Sequence, residues 1–378
     1  MTPLRLVVVT HAFPRWPGDV AGTFLGRLMQ ALVARGHTVS VVVPADRGQG
    51  ERRFVDGVDI VPVRYAAPER EDLAYTGDMA RKTRSPGGAM AFRGLVRALA
   101  RGARDEARRI DAQLVHAFWW VPGGWAASRV GVPLVLSLMG TDVAMMRPWP
   151  ARLLARGVLK RAARVTALST FLAAEARRLV WLPRLRIDRI PVPVDVDRFG
   201  VHTAGGGGVV YLGRLSHQKR VDLLLDAVHH AGIDAPVTII GDGPARGELE
   251  ARARTLGLGN VCFRGVLPDD AIPALVGGAD VAAFPSRDEG LGLAAAEALL
   301  LGVPVVATTD GGGVLDLVRD GAGACVVPPT PDAVGTALRR CLSDPTLRAS
   351  AVEAGHWLRT ELAPDGVARQ FEQVYARI

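Results

Sequence analysis

At 378 residues the chain exceeds what one ordinary hydrophobic core holds, so two domains are expected. Apolar residues make up 49% and charged residues 22%, which excludes a disordered chain, and no run of about 18 uncharged apolar residues is present to cross a membrane. The net charge of +8 is unevenly shared: residues 1–200 carry 31 Lys and Arg against 17 Asp and Glu, and the remainder 15 against 21. A basic first half points to an anionic partner, whether a membrane surface, a phosphorylated acceptor or nucleic acid, or else to a plain bias toward arginine. The three cysteines, Cys262, Cys325 and Cys341, are scattered and odd in number, as expected of reduced thiols in a cytoplasmic protein and not of a metal site.

Residues 4–10 form a continuous apolar run of strand length, as in a parallel strand buried on both faces. They look like a first strand and not a signal peptide, because no charged leader or small-residue cleavage site accompanies them. A Pro- and Gly-rich loop follows, then an amphipathic helix over 23–35 stopped by Gly36, and a second strand over 39–43. This is a βαβ unit whose loop lies where such sheets bind ligands, and Gly18 and Gly22 let a ligand approach the backbone. No GxGxxG fingerprint is present. Residues 45–90 read as irregular, with an extended piece at 58–63. A helix over 92–110 carries Arg93, Arg97, Arg101, Arg104, Arg108 and Arg109, a solvated or membrane-facing stripe. Further strands are expected at 113–116 and 134–138. His116 and Asp142 then fall just past strand ends. Residues 148–164 are basic and amphipathic around Trp149, fit for a membrane surface or for packing on the sheet. A strand at 165–169, a helix at 170–179 and a strand at 189–194 close the first half, and Ala204 to Gly208 has the composition of a linker.

A second strand–helix series begins at 209–212. Strands are expected at 237–240, 261–264, 281–284, 303–307 and 324–327, and helices at 221–231, 246–256, 270–276, 293–301, 314–318, 331–341, 345–361 and 365–378. The fold class is therefore α/β, with two doubly wound Rossmann-like domains: 1–200, 201–362, and a closing helix, 363–378, returning to the first. The stretch 284–304, FPSRDEGLGLAAAEALLLGVP, organises the second domain. It places Glu289 in a loop, Gly290-Leu291-Gly292 at a helix start and Glu297 two turns inside. Free N–H groups and the positive dipole end suit phosphate, and carboxylates suit hydroxyls. In the loop 213–219, GRLSHQK, Arg214 and Lys219 can converge on a diphosphate.

These segments, with GDGP at 241–244, FPRWPGDVAGTF at 13–24, VPVDVDRF at 192–199 and ALLLGVPVVAT at 298–308, resemble the retaining, GT-B-fold glycosyltransferases of family four along essentially the whole chain. The resemblance implies two domains across a cleft and an enzyme that moves a hexose-type sugar from a nucleotide diphosphate sugar, UDP- or GDP-linked, to a hydroxyl of a glycan, a lipid-linked or a small-molecule acceptor. It implies that Arg214 and Lys219 hold the diphosphate, Glu297 the ribose and Glu289 the transferred sugar. The amides of Gly290, Leu291 and Gly292 would face phosphate or sugar. Gly22 would lie near the diphosphate, Gly241 would belong to the donor site, and Gly265 and Val266 would touch the base. No metal or other cofactor is implied, since the cations and helix end neutralise the leaving group. The implied partners are donor and acceptor, and not nucleic acid; the basic amphipathic stretches of the first half add a membrane surface as an option.

His116 and Asp142 remain candidate catalytic groups of the first domain. Two departures touch that side: Met139 stands where the family often has His before Gly-Thr-Asp, and Phe118 where it often has a second His. Asp316 replaces a usual Glu. Retention without an evident nucleophile implies front-face transfer, unlike the paired carboxylates of glycosidases. An epimerase, a phosphorylase or a catalytically silent binding relative on the same fold are the alternatives.

Overall fold

In the computed structural model the described residues are 2–16, 18–19, 21–47, 50–75, 78–201 and 205–378. They form two compact units, Met1–Val194 with Pro364–Ile378, and Asp195–Ala363. The passage from one to the other at Val194 precedes the Gly-rich stretch read as a linker, of which Ala204 lies outside the described residues.

The first unit holds eight strands: β1 (Arg5–Val9), β2 (Thr38–Pro44), β3 (Arg53–Val55), β4 (Val58–Val63), β5 (Leu114–Phe118), β6 (Leu134–Leu138), β7 (Arg164–Ala167) and β8 (Ile187–Arg189). Their order is β3-β4-β2-β1-β5-β6-β7-β8. All neighbours run parallel except β3, which pairs antiparallel with β4. Side chains alternate between the faces, so Leu6 and Val8 join one buried cluster while Val7 and Val9 join the other. That is why β1 is apolar without a break.

The sequence reading differs from this sheet in three places. β3 lies within the stretch 45–90 expected to be irregular, because its three residues Arg-Phe-Val carry no period. The last strand is Ile187–Arg189 and not 189–194, since Pro191 and Pro193 cannot donate to a ladder. The long helix starts at Pro86, capped by the Ser85 hydroxyl, and not at 92. Its Arg93, Arg97, Arg101 and Arg108 are exposed while Leu95, Leu99 and Ala103 are buried.

The helix Pro364–Tyr375 completes the first unit. Glu372 takes a bidentate pair from Arg35 at 2.9 and 2.8 Å. His37 accepts from the Leu4 amide at Nδ1, so its Nε2, 3.0 Å from Glu372, is the donor there. Deeper in, His116 is fully buried within β5, not past its end. Its Nδ1 meets the Tyr375 hydroxyl at 2.8 Å and its Nε2 the Ser137 hydroxyl at 2.8 Å. Burial alone lowers its pKa to about 3, so the ring is neutral.

The second unit holds β9 (Val209–Leu212), β10 (Val237–Ile240), β11 (Val261–Gly265), β12 (Val281–Phe284), β13 (Val305–Thr308) and β14 (Ala324–Val327). They are all parallel, in the order β11-β10-β9-β12-β13-β14. The order reverses between β9 and β12, the place where a doubly wound sheet opens a crevice at its carboxyl edge. Cys325 and Cys341, distant in sequence, lie with sulfurs 3.9 Å apart in its core. No helix of the described residues is long and apolar enough to span a membrane.

Replacing Tyr375 by Phe strands a buried imidazole nitrogen. We expect a loss of about 1–3 kcal/mol in urea unfolding, and an unchanged midpoint would remove His116 from the account of how the closing helix is held.

Candidate active site

Three loops leave the carboxyl ends of neighbouring strands β9, β12 and β13, and one side chain ties them. Arg220 begins the helix Val221–His230 in the left-handed region, φ 49°. Its guanidinium donates to the Pro285 carbonyl at 2.7 Å, to the Thr308 hydroxyl at 2.9 Å, and to both Asp310 carboxylate oxygens at 2.9 and 2.7 Å. Gln218 adds a second tie: its amide donates to the carbonyls of Arg287 and Asp288, and its own carbonyl accepts from the Arg287 amide.

Glu289 is fixed between these loops. Its amide donates to the Gly311 carbonyl at 3.1 Å, and its carbonyl accepts from Gly313 at 2.7 Å. Its carboxylate, 12% exposed, forms an ion pair with the Lys219 ammonium. Beneath them Tyr211 is fully buried and donates to the Arg214 carbonyl at 3.1 Å. Burial, with Glu289 nearby, pushes the Tyr211 pKa upward. The Arg214 side chain is exposed and has no ion-pair or hydrogen-bond partner among the described residues.

Glycine is required where these segments close. Gly292 caps the helix Leu293–Leu300 at φ 79°, and a Cβ there would stand 2.3 Å from a Val314 methyl. A Cβ on Gly241 would lie 2.0 Å from the Gly213 carbonyl oxygen, so β9 and β10 can end side by side only with glycine. Past Gly292, Ala295 and Ala296 return their amides to its carbonyl, while Leu293 and Ala294 belong to the first turn, whose amides have no acceptor inside the helix. Glu297 sits one turn further. Burial raises its pKa to about 7, opposed by Arg198 and assisted by Asp269. No hydrogen bond reaches its carboxyl from the described residues.

The structure thus brings Arg214, Lys219, Glu289, Gly290, Leu291, Gly292 and Glu297 to the loops flanking the β9/β12 switch point, and Gly241, Gly265 and Val266 to the ends of β10 and β11. Val266 is 76% exposed, whereas the Leu291 side chain is buried, leaving only its backbone for a ligand. Gly22, His116 and Asp142 belong to the first unit. Gly22 starts the helix Thr23–Ala34 at φ 67°. His116 is corrected from a ligand-facing group to a core one, both nitrogens being spent on hydroxyls. Asp142 is corrected likewise: it is fully buried, and its carboxylate accepts from the amides of Trp120 at 3.0 Å, Met139 at 2.9 Å and Val143 at 3.1 Å. Burial raises its pKa to about 6 against those amides. It shapes loops. Sequence reasoning missed Arg220, Gln218 and Asp310. These residues carried no sequence signal for this role, because the partners of Arg220 and Gln218 lie 65 or more residues away.

Comparison with known proteins shows the family and the fold. Residues 204–356 match the model of the glycosyl transferases group 1, and residues 21–193 that of the glycosyl transferase 4-like domain. A 2-deoxystreptamine glucosyltransferase of Streptomyces kanamyceticus is 32% identical over 67% of this chain and 73% of its own length. Sucrose-phosphate synthase from Thermosynechococcus elongatus superposes with a TM-score of 0.75 at 20% identity, covering 99% of this chain and 98% of that one. Anabaena HepE, in complex with UDP and glucose, does so with a TM-score of 0.68 at 19% identity, over 99% and 100% of the chains. At such identities these two structures speak to the fold.

Glu297 yields a pH test. Its folded pKa, about 7, lies above the 4.5 of an unfolded Glu. Between those values the native state holds a proton that the unfolded chain has lost, so stability falls as pH rises from about 4.5 to about 7 and then levels. Glu297→Gln removes that proton uptake. Urea unfolding at pH 5 and pH 8 should show a smaller difference for the variant than for the parent.

Proposed function

Because this chain is a GT-B-fold glycosyltransferase of the group 1 family, we propose that its second unit holds a nucleotide diphosphate sugar at the ends of β9 and β12 and passes a hexose-type sugar, with retention and without a metal, to a hydroxyl acceptor. The observation that carries the reading is the Lys219–Glu289 ion pair, built from two loops that Arg220 and Gln218 lock together. It sets a cation for phosphate beside a carboxylate for sugar hydroxyls, with the first turn of the helix Leu293–Leu300 close in sequence.

In this reading Arg214 lays a planar fork on the diphosphate and Lys219 a compact charge. The amides after Gly290 add neutral donors. Glu297, desolvated and lacking a protein donor, takes the two ribose hydroxyls; their hydrogen bonds favour its ionised form and so draw its pKa down. Glu289 orients the transferred sugar. The bond from the anomeric carbon to the diphosphate oxygen breaks as the acceptor oxygen bonds to the same face, and the acceptor proton passes to the departing phosphate. The cations stabilise charge growing on that phosphate, where preorganised groups act most strongly. The relative's name, a glucosyltransferase acting on 2-deoxystreptamine, supports a hexose donor and a small polyhydroxylated acceptor. Free thiols at Cys325 and Cys341 fit a reducing, cytoplasmic setting.

Nucleotide release from UDP- and GDP-sugars, with and without acceptor, tests this. We expect Lys219→Ala and Arg214→Ala each to cut kcat by roughly 10²–10³-fold, chelator to leave the rate unchanged, and the product to keep the donor's anomeric configuration. The double variant Lys219→Ala/Glu289→Gln should lose less than the two singles multiplied, as contacting residues do. Conversion of donor without acceptor would indicate an epimerase, and full activity of Glu289→Gln would overturn the sugar contact.

A further inference from the structure

The helix Trp149–Arg161 buries Ala155, Val158 and Leu159 in the first unit and leaves apolar bulk outside. Trp149 is 69% exposed and Leu153 50%, one turn apart on one face. Trp181, 54% exposed, lies beside Arg152 and Arg156 of this helix. The Arg156 guanidinium donates to the carbonyls of Val180 and Trp181 at 2.7 and 2.6 Å, and Arg152 lies 5.6 Å from the centre of the Trp181 ring. Two indoles and a leucine therefore share one surface with arginines set among them.

The charge of the segment that builds this surface is strongly positive, with Glu175 as an acid close to Arg147 and Arg152. From residue 143 to residue 174 there is no Asp or Glu, while Arg147, Arg152, Arg156, Lys160, Arg161 and Arg164 all fall within it. The next acid, Glu175, is held by Arg178 in a bidentate pair at 2.9 and 2.7 Å. A complementary surface must take apolar rings and offer a continuous field of negative charge. A soluble protein surface mixes both signs; an anionic bilayer supplies a negative sheet of headgroups over an apolar layer. Indoles favour that boundary, and arginines can bury their stems there while their heads stay among phosphates.

We propose that this face of the first unit docks on an anionic lipid surface, with Trp149, Leu153 and Trp181 entering the headgroup boundary and the flanking cations pairing with lipid phosphates. The proposal does not rest on the donor chemistry, which belongs to the other unit.

Co-sedimentation of the full chain with vesicles, without nucleotide or acceptor, separates the outcomes. Binding is expected to vesicles of phosphatidylcholine mixed with phosphatidylglycerol, not to phosphatidylcholine alone, and to weaken with added salt. Arg147→Ala and Lys160→Ala should each lower the partition coefficient about fivefold, the value of one cation near a charged surface. The triple variant Trp149→Ser/Leu153→Ser/Trp181→Ser should lower it more than about tenfold with the thermal midpoint unchanged, because these side chains are exposed. Equal partition to both vesicle types, or an unaltered partition of the triple variant, overturns the proposal. So does a dimer seen by sedimentation velocity that the triple variant dissolves while neither vesicle binds, since the face would then serve a second copy of the chain.

Discussion

The geometry of the second unit depends on the guanidinium of Arg220. The three loops are bridged by a few backbone hydrogen bonds, Arg287 to Gln218, Asp288 to Asp310 and Glu289 with Gly311 and Gly313, and exposed connections held by so little tend to be mobile. Arg220 reaches a carbonyl on one loop and a hydroxyl and a carboxylate on another, using its planar fork in several directions. A lysine has the charge but not the fork. The residue is strained into the left-handed region to make this reach, a cost of order 1–3 kcal/mol that such positions usually carry only when the surroundings fix them. Lys219 is thereby pointed at Glu289, and the loop bearing Glu289 is kept in register with Gly311 and Gly313.

Much of this was legible in the residues, because parallel strands buried on both faces announce themselves as unbroken apolar runs. β9, β10 and β12 fall at 209–212, 237–240 and 281–284, where the sequence put them. Gly292 was legible for a different reason: a left-handed helix cap with no room for a Cβ demands glycine. Side-chain partners were not legible. His116 and Asp142 are polar residues near strand ends, and from sequence a polar residue there looks ligand-directed. Their partners lie in distant segments, Tyr375 for one and the Trp120 and Met139 amides for the other. β3 escaped because three residues are too few to show a period.

The two units divide the chemistry of charge. In the second, Lys219 and Glu289 are paired and held by neighbouring loops, so these two groups are placed before any ligand arrives, while Arg214 stays unpaired among the described residues; preorganised groups are those that stabilise developing charge at least cost. In the first, His116 and Asp142 are turned inward, and many of the exposed cations stand on helices, Arg93, Arg97, Arg101, Arg108 and Lys160 among them. Phe118 and Met139, in place of the histidines common in the family, belong to the apolar cluster around the closing helix, Phe118 within its core and Met139 packed against it.

The closing helix also bears on synthesis. The ribosome issues Asp195–Ala363, a self-contained body, before Pro364 to Tyr375 emerge. Domains tend to fold as they leave the ribosome, so the later-made body is complete while the earlier one still lacks its final piece. Until then Arg35, His37 and the β5 imidazole lack their partners in that helix, and a nascent first unit stays open along one flank while Asp195–Ala363 is being made.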